Sequence, residues 1–216
     1  MHYRSESRNI RPAFLTVPGL DNSGPHHWQT LWEEDLDDCM RVDLGMWSKP
    51  HRNTWVNKLN AAIAGAGRPV ILIAHSLGCH AVSWWNQLEM APTGKVLGAL
   101  LVAPPSLAGL QPESRLATFA PVARDRLRFP SILAASQNDH YASFGQSRKM
   151  ARLWGSRFVD AGWLGHINAD SGLAAWPFGR YLLDRLVYNL TGAGAAPSFN
   201  STARPMRSSD LRLGLD

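Results

Sequence analysis

The sequence predicts one α/β domain, a mostly parallel sheet of about six strands with helices on both faces. Three observations carry this: short apolar runs rich in Val, Ile and Leu, longer stretches of helical periodicity between them, and turns marked by Gly, Pro and Asn. The length of 216 residues fits a single domain with a sizeable core. With 45% hydrophobic and 18% charged residues the composition is that of a globular protein, and 18 Gly with 14 Pro suit many tight turns.

Taken in order, the first strand is Ala13–Val17, which ends at Pro18-Gly19. Pro69–Ala74 runs apolar through every position up to His75-Ser76, as a parallel strand buried on both faces does. Met40–Leu44, Val96–Ala103, Ser131–Ala135 and Arg157–Asp160 complete the six, each followed by a turn or a polar residue. Helices are expected at His27–Leu36, Trp55–Ala64, Gly78–Leu88, Gly145–Leu153 and Ala174–Asn189, where apolar side chains return every three or four residues. Trp28 and Trp32, four apart, share one helix face, a spacing that points to core packing rather than to substrate stacking.

Residues 1–12 are polar and expected to be flexible, 13–190 form the domain, and 191–216, rich in Gly, Ala, Ser, Pro and Arg, read as a disordered or weakly docked tail. No repeat is visible, and no insertion is long enough to form a large cap domain. The N-terminus lacks the apolar stretch of a secretory signal and no run spans a bilayer, so a cytoplasmic protein without a membrane partner is expected. The net charge of +5 comes from scattered basic residues without a run of five, which argues against a nucleic-acid partner. Two cysteines, Cys39 and Cys79, make neither a metal-ligand spacing nor a disulfide framework, and no cofactor or metal is implied.

Ile71–Ala81 joins a strand directly to a helix with Ser76 in the turn. Ala74-x-Ser76-x-Gly78 has the form of a nucleophile elbow, with alanine where the usual pattern has glycine. The turn is so sharp that residues two before and two after the serine crowd the neighbouring backbone. Such an elbow presents the serine Oγ at the carboxyl end of the sheet and aims the Leu77 N–H at a reacting carbonyl oxygen. A serine is also a common helix N-cap, so this segment alone is a weak signal.

A serine nucleophile needs a base and an orienting carboxylate, which follow it in the order acid, then histidine in this fold. Asp139 stands in the turn Ser136–Tyr141 after the strand Ser131–Ala135, and His166 in the Gly-rich loop Ala161–Gly172 after the strand Arg157–Asp160. Asp125 and Asp160 are weaker rivals for the acid. The loop after the first strand, Val17–Pro25, lies where a second oxyanion donor arises, and the Leu20 N–H is the candidate. Asn22, His26, His75 and His140 are expected to border the pocket.

Val17-Pro-Gly, His27-Trp28-Gln29 with Trp32, Ala74-His-Ser-Leu-Gly78 and above all Gly165-His-Ile-Asn-Ala-Asp-Ser-Gly172 together resemble the small serine hydrolases of the retinoblastoma-binding-protein-9/YdeN type. The resemblance runs from about Pro12 to Leu190. It implies an α/β-hydrolase fold without a large cap and a catalytic triad on Ser76, Asp139 and His166. The Leu-x-Cys-x-Glu segment associated with retinoblastoma binding is missing, the nearest cysteine standing in Leu36–Met40, so no such partner is implied. The expected activity is cleavage of a small ester by an acyl-enzyme route. An amidase or peptidase using the same triad, and a non-catalytic binding protein on this scaffold, are the alternatives.

Overall fold

The computed structural model describes residues 11–88 and 94–192. Six parallel strands form one sheet: β1 (Ala13–Val17), β2 (Cys39–Arg41), β3 (Val70–His75), β4 (Val96–Val102), β5 (Ser131–Ala135) and β6 (Arg157–Asp160), in the order β2-β1-β3-β4-β5-β6. Five α-helices connect or flank them: α1 (Trp28–Asp35), α2 (Arg52–Gly65), α3 (Leu77–Gln87), α4 (Phe144–Trp154) and α5 (Pro177–Thr191). The expected α/β-hydrolase architecture is therefore present, and no separate cap domain stands on it among the described residues.

Alternation along the central strand sorts the helices to the two faces. Val70, Leu72 and Ala74 of β3 point into one apolar cluster with Trp55, Leu59 and Ile63 of α2, Val82 of α3 and Trp154 of α4. Ile71 and Ile73 point into the other, with Trp28 and Trp32 of α1 and Leu182, Leu183 and Leu186 of α5. All six residues of β3 are buried, which is why its sequence is apolar without alternation.

Many boundaries shift by one residue from the sequence expectation and α2 starts three residues earlier, at Arg52 rather than Trp55; three of the differences have a clear local reason. β2 covers only Cys39–Arg41 rather than Met40–Leu44, because beyond the Val42 N–H, bonded to Thr16 O at 2.9 Å, the chain leaves the sheet edge. α4 starts at Phe144, fixed by a capping box in which Ser143 Oγ accepts the Gln146 N–H and Gln146 Oε1 accepts the Ser143 N–H. α5 begins at Pro177 and not Ala174. Proline suits the first helical position because it lacks an N–H that would go unpaired there, and the preceding Trp176, at φ 44°, folds its ring over Gly179. A Cβ on Gly179 would stand 1.9 Å from that ring, so only glycine fits.

The expected flexible segment 1–12 and the tail 191–216 lie almost wholly outside the described residues. The part that is described closes α5 at Thr191 with Gly192 in the left-handed conformation.

Candidate active site

Ser76 sits between β3 and α3 with φ 54° and ψ −125°, a conformation that costs on the order of 1–3 kcal/mol for a residue with a side chain. The surroundings hold it there. α3 starts so close to the end of β1 that a Cβ on Gly78 would lie 2.1 Å from the Val17 carbonyl oxygen. The first loop also approaches closely, since a Cβ on Gly19 would come within 2.7 Å of the Ser76 Cβ. These contacts explain the two glycines that flank Ser76 in space.

Although Ser76 occupies the N-cap position of α3, its hydroxyl makes no cap hydrogen bond. It instead donates to His166 Nε2 at 2.8 Å. That pairing requires the proton of the neutral imidazole to be on Nδ1, which faces Asp139 Oδ2 at 2.9 Å and Oδ1 at 3.0 Å. The Asp139 side chain is 2% exposed and that of His166 10%, so the hydrogen-bonded chain is shielded from water along most of its length. The serine, aspartate and histidine expected from chain order thus meet in space.

The two rival carboxylates are placed elsewhere. Asp160 is spent on its own turn, accepting the Gly162 N–H at 2.8 Å and the Gln137 amide at 2.7 Å. Asp125 is exposed in the segment before β5.

Several side chains that knit the acid turn to the base loop went unnoticed in the sequence. Ser136 Oγ accepts the Leu164 N–H at 2.8 Å, and Asn138 Oδ1 accepts the Gly165 N–H at 2.9 Å. The Tyr141 N–H donates to Asp139 Oδ1 at 2.9 Å, and its ring stands 4.4 Å from that of His166. Ser136 and Asn138 read as ordinary turn residues because the partner loop is over twenty residues away.

The open space above Ser76 is a cleft of about 240 Å³. Leu20, Leu77, Pro105, Leu116 and Tyr141 give it apolar walls, while Asn22, His75 and Asn168 add polar ones. Leu77 is the first residue of α3, so its N–H has no intrahelical acceptor and is available to a ligand. Both expected oxyanion donors, Leu20 and Leu77, line the cleft. Across the mouth Arg115 Nη1 meets both carboxylate oxygens of Asp21 at 2.9 Å, joining the long β4–β5 connection to the first loop.

Of the four residues expected to border the pocket, Asn22 and His75 do, and His26 and His140 do not. His26 is exposed, and the neighbouring His27 takes the wall position instead. The reason is capping: His27 Nδ1 accepts the Gln29 N–H at 3.1 Å, which turns its ring inward at the start of α1 and its predecessor outward. His140 is exposed because Asp139, one residue earlier, is the side chain directed at His166.

The buried histidines are held neutral. Burial, then Arg41 and His166, lower His27 to about 4. Burial, then His27 and His166, push His75 well below the usual imidazole value. Burial lowers His80 to about 4 against the opposing effect of its Pro105 carbonyl partner.

The serine hydrolase family model matches residues 14–185. The chain belongs to the serine hydrolase family. Among solved structures it is similar to a YdeN-like hydrolase from Pectobacterium atrosepticum, with 30% identity over 84% of this chain and 93% of that one and a TM-score of 0.73. It is also similar to the ydeN gene product of B. subtilis, at 17% identity, 82% and 99% coverage and a TM-score of 0.66. Est1E from Butyrivibrio proteoclasticus shares the fold at 13% identity, 83% and 90% coverage and a TM-score of 0.60. No curated protein matches the chain. The family and these neighbours make it a hydrolase of the α/β-hydrolase superfamily. No described helix is long and apolar enough to cross a membrane.

Proposed function

We propose that this hydrolase cleaves small carboxylic esters through an acyl-enzyme on Ser76. The observation that carries the reading is the unbroken chain from Ser76 Oγ through His166 to Asp139, standing at a strained strand-to-helix turn. His166 Nε2 takes the hydroxyl proton as Oγ attacks the carbonyl carbon, and Asp139 stabilises the imidazolium that forms. The Leu77 and Leu20 N–H groups receive the developing oxyanion, each donor worth about 3 kcal/mol in the transition state. His166 then protonates the leaving alcohol, and in the second half it draws a proton from water to release the acid.

The substrate is small because the cleft, about 240 Å³, falls below the roughly 300–1,000 Å³ of sites for drug-sized ligands. A cytoplasmic location completes the proposal. The test is labelling by a fluorophosphonate probe together with a panel of p-nitrophenyl esters of rising acyl length and matched amino-acid anilides. Labelling that vanishes in Ser76→Ala, with turnover greatest on short esters, supports the reading. Preference for the anilides would make the protein an amidase, and a folded protein that never labels would make it a binding protein on this scaffold.

A further inference from the structure

Two successive carbonyls of the base loop are held from outside the loop. His75, the last residue of β3, places Nε2 2.9 Å from His166 O, and because a carbonyl only accepts, the imidazole is the donor. Trp28, the first residue of α1, donates Nε1–H to Ile167 O at 2.8 Å, across 139 positions of sequence. Between these two anchors the backbone bends through Ile167 at φ 50°, an outlier for a β-branched residue, with its side chain fully buried. Such a conformation persists only where the surroundings over-determine it.

We propose that His75 and Trp28 are positioning residues that clamp the base loop and so hold the His166 imidazole on Ser76. The inference rests on the serine-hydrolase reading above. Both donors are packed among other rings. The His75 ring is boxed edge-on by His27 at 4.7 Å and by Trp28 at 5.9 Å, and it lies 5.0 Å from the His166 ring. Trp28 is wedged between Trp32 at 4.7 Å and Trp176 at 5.2 Å. The end of β3, the start of α1 and the base loop therefore share one cluster of packed rings.

The division of labour follows from geometry. Asp139 and the Tyr141 ring set the rotation of the imidazole, whereas His75 and Trp28 set the backbone from which it projects. A displacement of about 1 Å between reacting groups costs as much as 100-fold in rate, so loss of either carbonyl anchor is felt in catalysis more than in binding.

The test compares wild type with Trp28→Phe, which removes the N–H but keeps an aromatic ring, with His75→Leu, and with His75→Gln, whose amide N–H can reach the same carbonyl. For each, kcat and KM on p-nitrophenyl acetate, the rate of fluorophosphonate inactivation, the urea midpoint and amide hydrogen exchange of residues 161–172 are measured. Trp28→Phe and His75→Leu are expected to lower kcat and the inactivation rate by about 10- to 100-fold with KM nearly unchanged and exchange accelerated. His75→Gln is expected to recover most of the loss. Folded Trp28→Phe and His75→Leu proteins with wild-type kcat, or a His75→Gln no better than His75→Leu, overturn the clamp. If His75→Leu does not fold, Trp28→Phe decides the question by the same criteria. A wild type that never labels sinks the hydrolytic reading separately; exchange then judges the clamp, with faster exchange supporting it and unchanged exchange overturning it.

Discussion

Asp139 turns both carboxylate oxygens toward a single nitrogen of His166, Oδ2 at 2.9 Å and Oδ1 at 3.0 Å from Nδ1, while Oδ1 also accepts the Tyr141 N–H. An amide in its place presents a donor to a donor or forces the other imidazole tautomer, leaving Nε2 unable to accept the Ser76 proton. Asp139→Asn is therefore expected to lower kcat by roughly 10³- to 10⁴-fold, as the same exchange does in other triads, with little change in KM. Steady-state kinetics on a p-nitrophenyl ester checks this. A loss below tenfold would move the acid role to another carboxylate.

The two glycines that permit the elbow are expected to fail in different ways. A Cβ on Gly19 meets the Ser76 Cβ at 2.7 Å, and if the first loop moves to relieve it, the Leu20 N–H leaves the position proposed for it at the oxyanion. Gly19→Ala should cost about 100-fold in kcat, the worth of one oxyanion donor, with a smaller loss of stability than Gly78→Ala. A Cβ on Gly78 meets the backbone carbonyl oxygens of Val17 and Pro18, at the end of β1 and just beyond it, at 2.1 and 2.6 Å. Gly78→Ala should lose about 3 kcal/mol of stability, read from urea unfolding. Equal effects of both on stability would contradict this account.

Acid is expected to destabilise the fold through its buried histidines. His27 and His80 sit near 4 when folded and near 6.5 when unfolded, and His75 is shifted the same way. Between these values the unfolded chain binds more protons, so stability rises with pH across the window. It is complete above about pH 6.5 and is lost as pH falls toward 4, by up to about 1.4 kcal/mol per pH unit for each group. Urea midpoints measured from pH 4.5 to 7 give the slope. His80→Gln, which keeps a donor for Pro105 O, should reduce it by about one proton, and an unchanged slope would mean His80 does not titrate on unfolding.

Both thiols should be inert in the native protein. Burial raises Cys79, which is fully enclosed, and burial with Glu33 raises Cys39 to about 12. At pH 8 the thiolate of Cys39 is then about one part in 10⁴, so titration with a thiol reagent should be at least 100-fold slower than in urea. Rapid native modification of one equivalent would show that β2, at the sheet edge, opens readily.

The elements that were legible in the sequence are those whose cause is local. The β3 run declared a strand buried on both faces, while Ala74-x-Ser76-x-Gly78, a weak signal alone, gained its reading as an elbow from Asp139 and His166, which follow Ser76 in the turns after β5 and β6. Helix starts were less legible, as at Phe144 behind its Ser143 cap, at Pro177, and at Arg52, three residues before the expected Trp55. The exchange of His26 for His27 at the pocket wall also turned on a cap, one residue wide, that hydrophobic periodicity does not resolve.

Sequence by itself determined the alternation of strand and helix, the sharp turn at Ser76 and the chain order of Ser76, Asp139 and His166, because steric limits at a turn and apolar periodicity act within a few residues. Only the tertiary structure decided what holds those groups in register. The bonds from His75 to His166 O, from Trp28 to Ile167 O and from Arg115 to Asp21 span 91, 139 and 94 positions. Such contacts leave no local signature, since each donor is an ordinary buried or surface residue until packing brings its acceptor within about 3 Å.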